Sequence, residues 1–316
     1  MIEGKRIFIT GGRGFIGSHL CEQLAGANEV VLYDNLHRDA MKDTDLLLNT
    51  NVSCIEGDVL DLAKLADGMA GADVVIHCAA IAGVDSVVRK PIVTMKVNLL
   101  GTINALEAAV KAPVSRFIDF STSEVYGPSI YKAAEDDLTT QGPVGELRWT
   151  YAVSKLAGEH LAHCYAEEFG MRVLTIRPFN IYGPRQVGEG AIQQFIPRAL
   201  QNLDLTVHGD GTQIRAWCYI DDFVEGLLRA VETPMAAPEV FNIGNPQATI
   251  TTLELAKRVI SLTGSRSQIV FRDSAIPDVA VRVPSIAKAQ RLLGFTPKVG
   301  LDEGLARTIA YFRQRM

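Results

Sequence analysis

Residues 10–20 read TGGRGFIGSHL and follow directly on the apolar run RIFIT at Arg6–Thr10. Gly11, Gly14 and Gly17 recur every third position, at the point where a strand gives way to a helix. In such a loop one glycine makes the tight turn and one lets the backbone approach a pyrophosphate. The third lets helix and strand pack closely. The phosphates then face the free N–H groups and the positive end of the helix. Glycines alone are weak evidence; after the first strand of a βαβ unit they specify a dinucleotide loop.

The flanking sequence supplies that unit. Strands are predicted at Val30–Tyr33, Val52–Glu56, Asp73–His77, Arg116–Phe120 and Val173–Ile176. Helices are predicted at Gly14–Leu24, Leu60–Met69, Val97–Val110 and Tyr151–Phe169. Short apolar runs separated by helices mean a parallel sheet covered on both faces. The fold class is therefore α/β, a doubly wound parallel sheet. After Arg177 the loops lengthen and Gly/Pro punctuation increases, as in PFNIYGPRQVGEG and HGDGTQ. Helices are predicted at Ala191–Leu200, Asp222–Val231, Leu253–Leu262 and Leu301–Phe312. Residues 1–177 are expected to form the dinucleotide domain, with 208–235 returning to it. Residues 178–316 form a smaller, discontinuous α/β lobe for substrate.

Composition narrows the class of function. Lys+Arg total 31 against 36 for Asp+Glu, so no basic excess exists to neutralise a nucleic-acid backbone. Cys21, Cys54, Cys78, Cys164 and Cys218 are odd in number and widely spaced, without a C-x-x-C pair. That argues against a disulfide framework or zinc cage and for a reducing cytoplasm. His160 and His163 have no carboxylate or third ligand nearby in sequence, so no metal is expected. No apolar run is long enough to span a bilayer, and the N-terminus lacks a signal peptide's apolar region.

The chemical residues cluster at strand ends and on one helix. Asp34 ends strand two, where a carboxylate accepts from an adenosine ribose and repels a 2′-phosphate; this favours NAD over NADP. His37 and Arg38 follow it closely. Asp58, in EGDV, is placed to meet the adenine amino group. Tyr151 and Lys155 lie at i and i+4, sharing a helix face. An ammonium near a phenol favours the phenolate. Such a tyrosine takes a proton from a sugar hydroxyl while hydride leaves the same carbon for nicotinamide. Strand five ends in FSTSEVYG, at the sheet edge where ligands sit. Thr122 can bond the reacting hydroxyl, and Glu124 can move a second proton.

Together TGGRGFIGSHL, YDNL, EGDV, HCAA, VNLLGTINALEAA, STSEVYG, YAVSK, RPFNIYGPR, GDGTQIRAWCYIDDF, FNIGNP and VPSIAKAQRLLGF span essentially the whole chain. In these motifs the sequence resembles the extended short-chain dehydrogenases/reductases of the NAD-dependent epimerase/dehydratase family, which act on nucleotide sugars. The resemblance implies a Rossmann sheet holding NAD. Its contacts would come from Gly11, Gly14, Phe15, Ile16, Gly17, Asp34, Asn35, Asp58, Val59, Ala79, Ala80, Asn98, Tyr151 and Lys155. It implies oxidation of the sugar at C4, with Tyr151 as base, Lys155 as its partner and Thr122 assisting. Ser123 and Glu124 complete the catalytic set.

The 4-keto sugar then turns over and is reduced (epimerase), loses water (dehydratase) or loses carbon dioxide (decarboxylase). UDP-glucuronate decarboxylases share STSEVYG and the tail pattern, implying Glu124 and Arg282 for that step. The balance leans to a Glu124-dependent lyase, a UDP-uronate decarboxylase or a 4,6-dehydratase; a UDP-hexose 4-epimerase is the alternative. A non-catalytic dinucleotide-binding scaffold is the distant rival. The resemblance implies Asn180 and Arg215 on the nucleoside diphosphate; for Arg215 the chemistry agrees, since a guanidinium offers paired donors to phosphate. Asn180, Arg215 and Arg282 are all placed in loops. Arg148 and Arg185 read as solvated charges, and Trp149 and Trp217 as packing residues. The family resemblance also implies a homodimer built from the helices near Val97–Val110 and Tyr151–Phe169.

Overall fold

The computed structural model describes residues 2–112, 114–234, 238–273 and 278–316. The first half runs β1 (Arg6–Thr10), α1 (Phe15–Leu24), β2 (Glu29–Asp34), β3 (Val52–Glu56), α2 (Leu62–Met69), β4 (Val74–His77), α3 (Val84–Arg89), α4 (Pro91–Lys111), β5 (Arg116–Phe120), β6 (Ser129–Ala133), α5 (Trp149–Phe169) and β7 (Val173–Pro178). The second runs β8 (Ile181–Tyr182), α6 (Ala191–Leu200), β9 (Leu205–His208), β10 (Ile214–Ala216), β11 (Cys218–Tyr219), α7 (Ile220–Glu232), β12 (Glu239–Ile243), β13 (Thr249–Thr251), α8 (Thr252–Thr263), β14 (Ile269–Arg272), β15 (Val281–Pro284), α9 (Ala287–Leu293) and α10 (Leu301–Arg313).

Seven parallel strands form the main sheet in the order β12-β7-β5-β4-β1-β2-β3. From β1 the chain builds outward through β2 and β3. It then crosses back to β4 and continues the other way. The crevice at this switch point, at the carboxyl ends of β1 and β4, is where a ligand belongs. Alternation along each strand divides the core. Ile7, Ile9, Leu32, Ile76, Ile118 and Ile176 face one side, where α1 and α7 pack. Phe8, Val31, Val75, Phe117 and Val173 face the other, under α2, α4 and α5. Both faces are apolar because both are covered.

Several boundaries move. α4 starts six residues before Val97, at Pro91, whose missing N–H costs nothing in a first helical turn. α5 starts at Trp149, two residues before Tyr151, and is closed after Phe169 by Gly170, which takes the left-handed conformation at φ +67°. β12 has no counterpart among the predicted strands. Its five residues EVFNI follow α7 but hold an apolar run of only two, Val240 and Phe241, before Asn242 interrupts it. A four-stranded sheet, β13-β10-β15-β6, stands beside the main one. It carries Arg215 on β10 and Arg282 on β15, which corrects their placement in loops. Trp149 and Trp217 are buried packing residues, as expected. Among the described residues no helix is long and apolar enough to cross a membrane.

Candidate active site

The glycine loop is built as its spacing demands. Gly11 sits at φ +64°, and a Cβ there would lie 2.8 Å from the Ala79 backbone nitrogen on the neighbouring strand end. A Cβ on Gly17 would lie 2.5 Å from the Gly12 carbonyl oxygen. Gly14 precedes α1, whose first turn carries Phe15, Ile16 and Gly17. Asp34 is 8% exposed and accepts from Arg13 N–H at 3.0 Å and Leu36 N–H at 2.7 Å. Burial raises its carboxyl above the ordinary range, against those bonds and the Arg13 charge. Asn35 is exposed next to it. Asp58 closes its own turn through Leu60 N–H, and Val59 is buried against α4 beside Gly101. Ala79 and Ala80 are half-buried where β4 ends. Asn98 binds both backbone groups of Ile81 and donates to Ser154 Oγ at 3.1 Å, so its amide pins the loop after β4 to α5.

Tyr151 and Lys155 emerge from the first turns of α5 toward the end of β5. Thr122 there caps the turn of Ser123–Tyr126 and hydrogen-bonds the Tyr151 hydroxyl. Ser123 is buried beside it. The phenol is pushed up by burial and by Glu124, while Thr122 and Arg282 pull it down. The expected depression by Lys155 is not among these leading influences. The Lys155 ammonium is itself lowered by burial and faces Asp119 and Cys78. Its Nζ has no hydrogen-bond partner among the described residues. A buried unpartnered ammonium is costly, and the hydroxyls of a bound ribose would satisfy it. Together with the close approach at Gly11, this cleft fits a dinucleotide.

The opposite wall is cationic. Parallel register sets Arg215 directly beside Arg282. Arg282 is 4% exposed, donates to Glu124 Oε1 and to the Gly127 carbonyl at 3.2 Å each, and leaves its Nε unpartnered. Arg148 is also 4% exposed, donates to the same Glu124 oxygen at 3.2 Å and stacks on Trp149. It is thus no solvated charge. Its position three residues before Tyr151 was the only signal available in sequence. Arg185 pairs with Glu22 and is likewise mostly buried. Arg215 bonds Asp278 at 3.0 Å; burial lowers its pKa to about 10, with Asp278 opposing. Three guanidiniums thus face two carboxylates, an arrangement that favours one more anion. Asn180 stands at φ +43° and donates to the Ala216 carbonyl, bracing the chain beside Arg215.

A glycine-lined switch point facing a Tyr–Lys–Thr set defines a dinucleotide-dependent oxidoreductase of the doubly wound α/β class. The family model described as the NAD dependent epimerase/dehydratase family matches residues 7–244. The chain belongs to this family, and NAD is its cofactor. It is 37% identical to the UDP-N-acetyl-alpha-D-glucosaminuronate decarboxylase of Bacillus cytotoxicus, over 98% of this chain and 98% of that protein. It is 36% identical to UDP-glucuronic acid decarboxylase 1 of Xenopus tropicalis, over 99% of this chain and 73% of that protein. The structure of UDP-glucuronic acid 4-epimerase from Bacillus cereus, in complex with UDP-glucuronic acid and NAD, matches with a TM-score of 0.89 at 34% identity. That match covers 98% of this chain and 100% of the other.

Proposed function

We propose that the protein is a UDP-uronate decarboxylase working through a 4-keto sugar. The observation that carries this is Glu124 held between two buried arginines, Arg148 and Arg282, close enough to act on the Tyr151 phenol. The decarboxylase relatives support it. Tyr151 accepts the C4 hydroxyl proton, and Thr122 orients that hydroxyl. Lys155 holds the ribose next to the ring. When bound, NAD+ would accept the C4 hydride and, as NADH, give it back to the decarboxylated 4-keto sugar. With a ketone at C4, the C5–carboxylate bond breaks: carbon dioxide leaves and its electron pair passes into the C4–C5 enolate. Glu124 takes up a proton from water and relays it to C5, and Arg282 with Arg148 seats the departing carboxylate. Arg215 and Asn180 are assigned to the nucleoside diphosphate.

In this scheme residues 1–177 and α7, from the segment 208–235, form the dinucleotide side of the cleft, while residues 178–316, with Arg215 on β10, form most of the UDP-sugar side. Support for that division comes from α7, which packs on α1 and β7. A homodimer through α4 and α5 is supported by the exposed apolar side chains of Ile92, Leu100 and Val153. The cytoplasm is the proposed location.

The test is mass analysis of products from UDP-glucuronate and UDP-N-acetylglucosaminuronate with NAD+. Loss of carbon dioxide is expected from at least one of them. Unchanged mass with inverted C4 would make the protein a 4-epimerase, the reading favoured by its likeness to the Bacillus cereus enzyme. Loss of water from a UDP-hexose would make it a 4,6-dehydratase.

A further inference from the structure

We infer that Asp39 makes the adenosine end of the cleft selective for a cofactor without a 2′-phosphate, by occupying the Arg13 guanidinium beside Asp34. The inference rests on Asp34 lying at the adenosine ribose. Arg13 immediately precedes Gly14 in the glycine loop. Its N–H donates to Asp34 Oδ2 at 3.0 Å, and its carbonyl accepts from Ala40 N–H at 2.8 Å. The arginine is therefore fixed between the end of β2 and the segment that follows it. Its Nε donates to Asp39 Oδ1 at 3.1 Å, and its Nη2 donates to Asp39 Oδ2. Asp39 Oδ1 also accepts from Met41 N–H at 2.9 Å, so the carboxylate is anchored from both sides. The pair is largely shielded, with side chains 15% and 20% exposed.

An arginine beside the acidic residue of strand two is the group that receives a 2′-phosphate, and its planar fork matches phosphate as well as carboxylate. Here the fork is already filled by a carboxylate. Asp34 and Asp39 against Arg13 leave the pocket with one excess negative charge. The nearby cations do not compensate. Arg38 reaches across the cleft to the Ala82 carbonyl at 3.1 Å and Ser86 Oγ at 3.0 Å, with Glu189 alongside. His37 is exposed, and its backbone N–H turns to Asn35. A 2′-phosphate would meet two carboxylates and an engaged guanidinium. The acidic residue at the end of strand two thus shares the work of exclusion with a second one five residues on.

The test is titration calorimetry of NAD+ and NADP+ on protein stripped of copurified dinucleotide, for wild type, Asp39→Asn and the double variant Asp39→Asn/Arg13→Gln. Asparagine keeps Oδ1, the acceptor for Met41 N–H and Arg13 Nε, but removes the negative charge and frees Arg13 Nη2. Wild type should prefer NAD+. In Asp39→Asn the ratio of NADP+ to NAD+ affinity should rise at least tenfold, and the double variant should lose that gain. An unchanged ratio in Asp39→Asn would overturn the inference, as would a gain that survives removal of Arg13. Asp39→Ser repeats the test should the asparagine variant not fold. A wild type that binds NAD+ while Asp34→Asn leaves both affinities unchanged would instead overturn the placement of the ribose at Asp34.

Discussion

The Glu124 carboxylate accepts a hydrogen bond from Arg282 at 3.2 Å, across 158 residues of chain. The first lies on the turn after β5, the second on β15, so the two sheets meet through this contact. Glutamine at position 124 keeps an oxygen for the arginines but cannot carry a proton. Glu124→Gln should lower kcat for carbon dioxide release by roughly 10²–10⁴-fold, the usual range for a general acid or base. KM and NAD+ affinity should change little. Steady-state kinetics with calorimetric NAD+ binding reads both, and a kcat within threefold of wild type would remove Glu124 from the proton path.

Tyr151 is the only group in this cleft proposed to take the C4 proton. Tyr151→Phe removes the hydroxyl and leaves the ring and its packing. Turnover should fall by ~10³-fold or more with NAD+ still bound, as expected when the base that deprotonates the C4 hydroxyl during hydride transfer is lost. Reduction of bound NAD+ on mixing with UDP-glucuronate, followed by absorbance, isolates that first step. Normal reduction in the variant would reassign the base.

Gly11 and Tyr151 illustrate what was legible in the chain. Their partners lie within a few residues, at Gly14 and Lys155, so spacing alone carries the signal. The sheet's first six strands were legible for a similar reason, each being an apolar run followed by a helix or turn. Arg148 was not, because its importance depends on Glu124 and on Arg282, which folding brings from another sheet. Asp39 was not, because nothing local distinguishes it from a loop carboxylate until Arg13 closes on it. Lys155 stands out by its spacing from Tyr151, but its surroundings do not. Its neighbour Asp119 lies in the middle of an apolar run, and only the β5 register reveals which way the side chain faces.

Gly11→Ala tests the dinucleotide loop as structure. The substitution forces a Cβ onto a φ of +64° and to 2.8 Å from the Ala79 backbone, which cannot yield without moving β4's end. A cost of roughly 1–3 kcal/mol is expected from such strain. NAD+ affinity should fall with it, since the loop must shift. Thermal denaturation and NAD+ titration check the two together; an unaltered protein would mean the loop relaxes freely.

Glu159 on α5 and Arg177 on β7 form a buried ion pair, with side chains 7% and 5% exposed. Arg177 also donates to the Tyr126 hydroxyl at 2.6 Å and stacks on its ring. Tyr126 in turn donates to Asn242 on β12. The pair therefore ties the helix bearing Tyr151 to the sheet's last strand. Removing one partner leaves a buried charge alone, so Glu159→Leu should destabilise by about 3–5 kcal/mol. Replacing both, in Glu159→Leu/Arg177→Met, should cost less than that single change. Urea denaturation of the set decides it, and equal or greater loss in the double variant would show that the charges themselves, not their pairing, are needed.

His77 lies beneath the cofactor loop, its Nδ1 2.7 Å from Thr10 Oγ1 and its Nε2 3.2 Å from Thr102 Oγ1. Burial, with the Lys155 charge adding to it, lowers its pKa from 6.5 to about 3. His19 is lowered to about 4, again chiefly by burial. A histidine whose folded pKa is depressed contributes stability above its unfolded value, and that contribution is lost as pH falls toward the folded one. Asp119 works in the other direction: burial raises it from 3.8 to about 6, so its contribution is full below 3.8 and lost as pH rises through 6. Between pH 6.5 and 4 the two histidines therefore pull Tm down on acidification while Asp119 partly offsets them. His77→Asn removes one titrating ring and keeps polar atoms near both threonines. Its Tm should be lower than wild type at pH 7.5 but should decline less steeply between pH 6.5 and 4. Differential scanning calorimetry across that window reads the slope, and parallel profiles for the two proteins would show that His77 is not the group that protonation opposes.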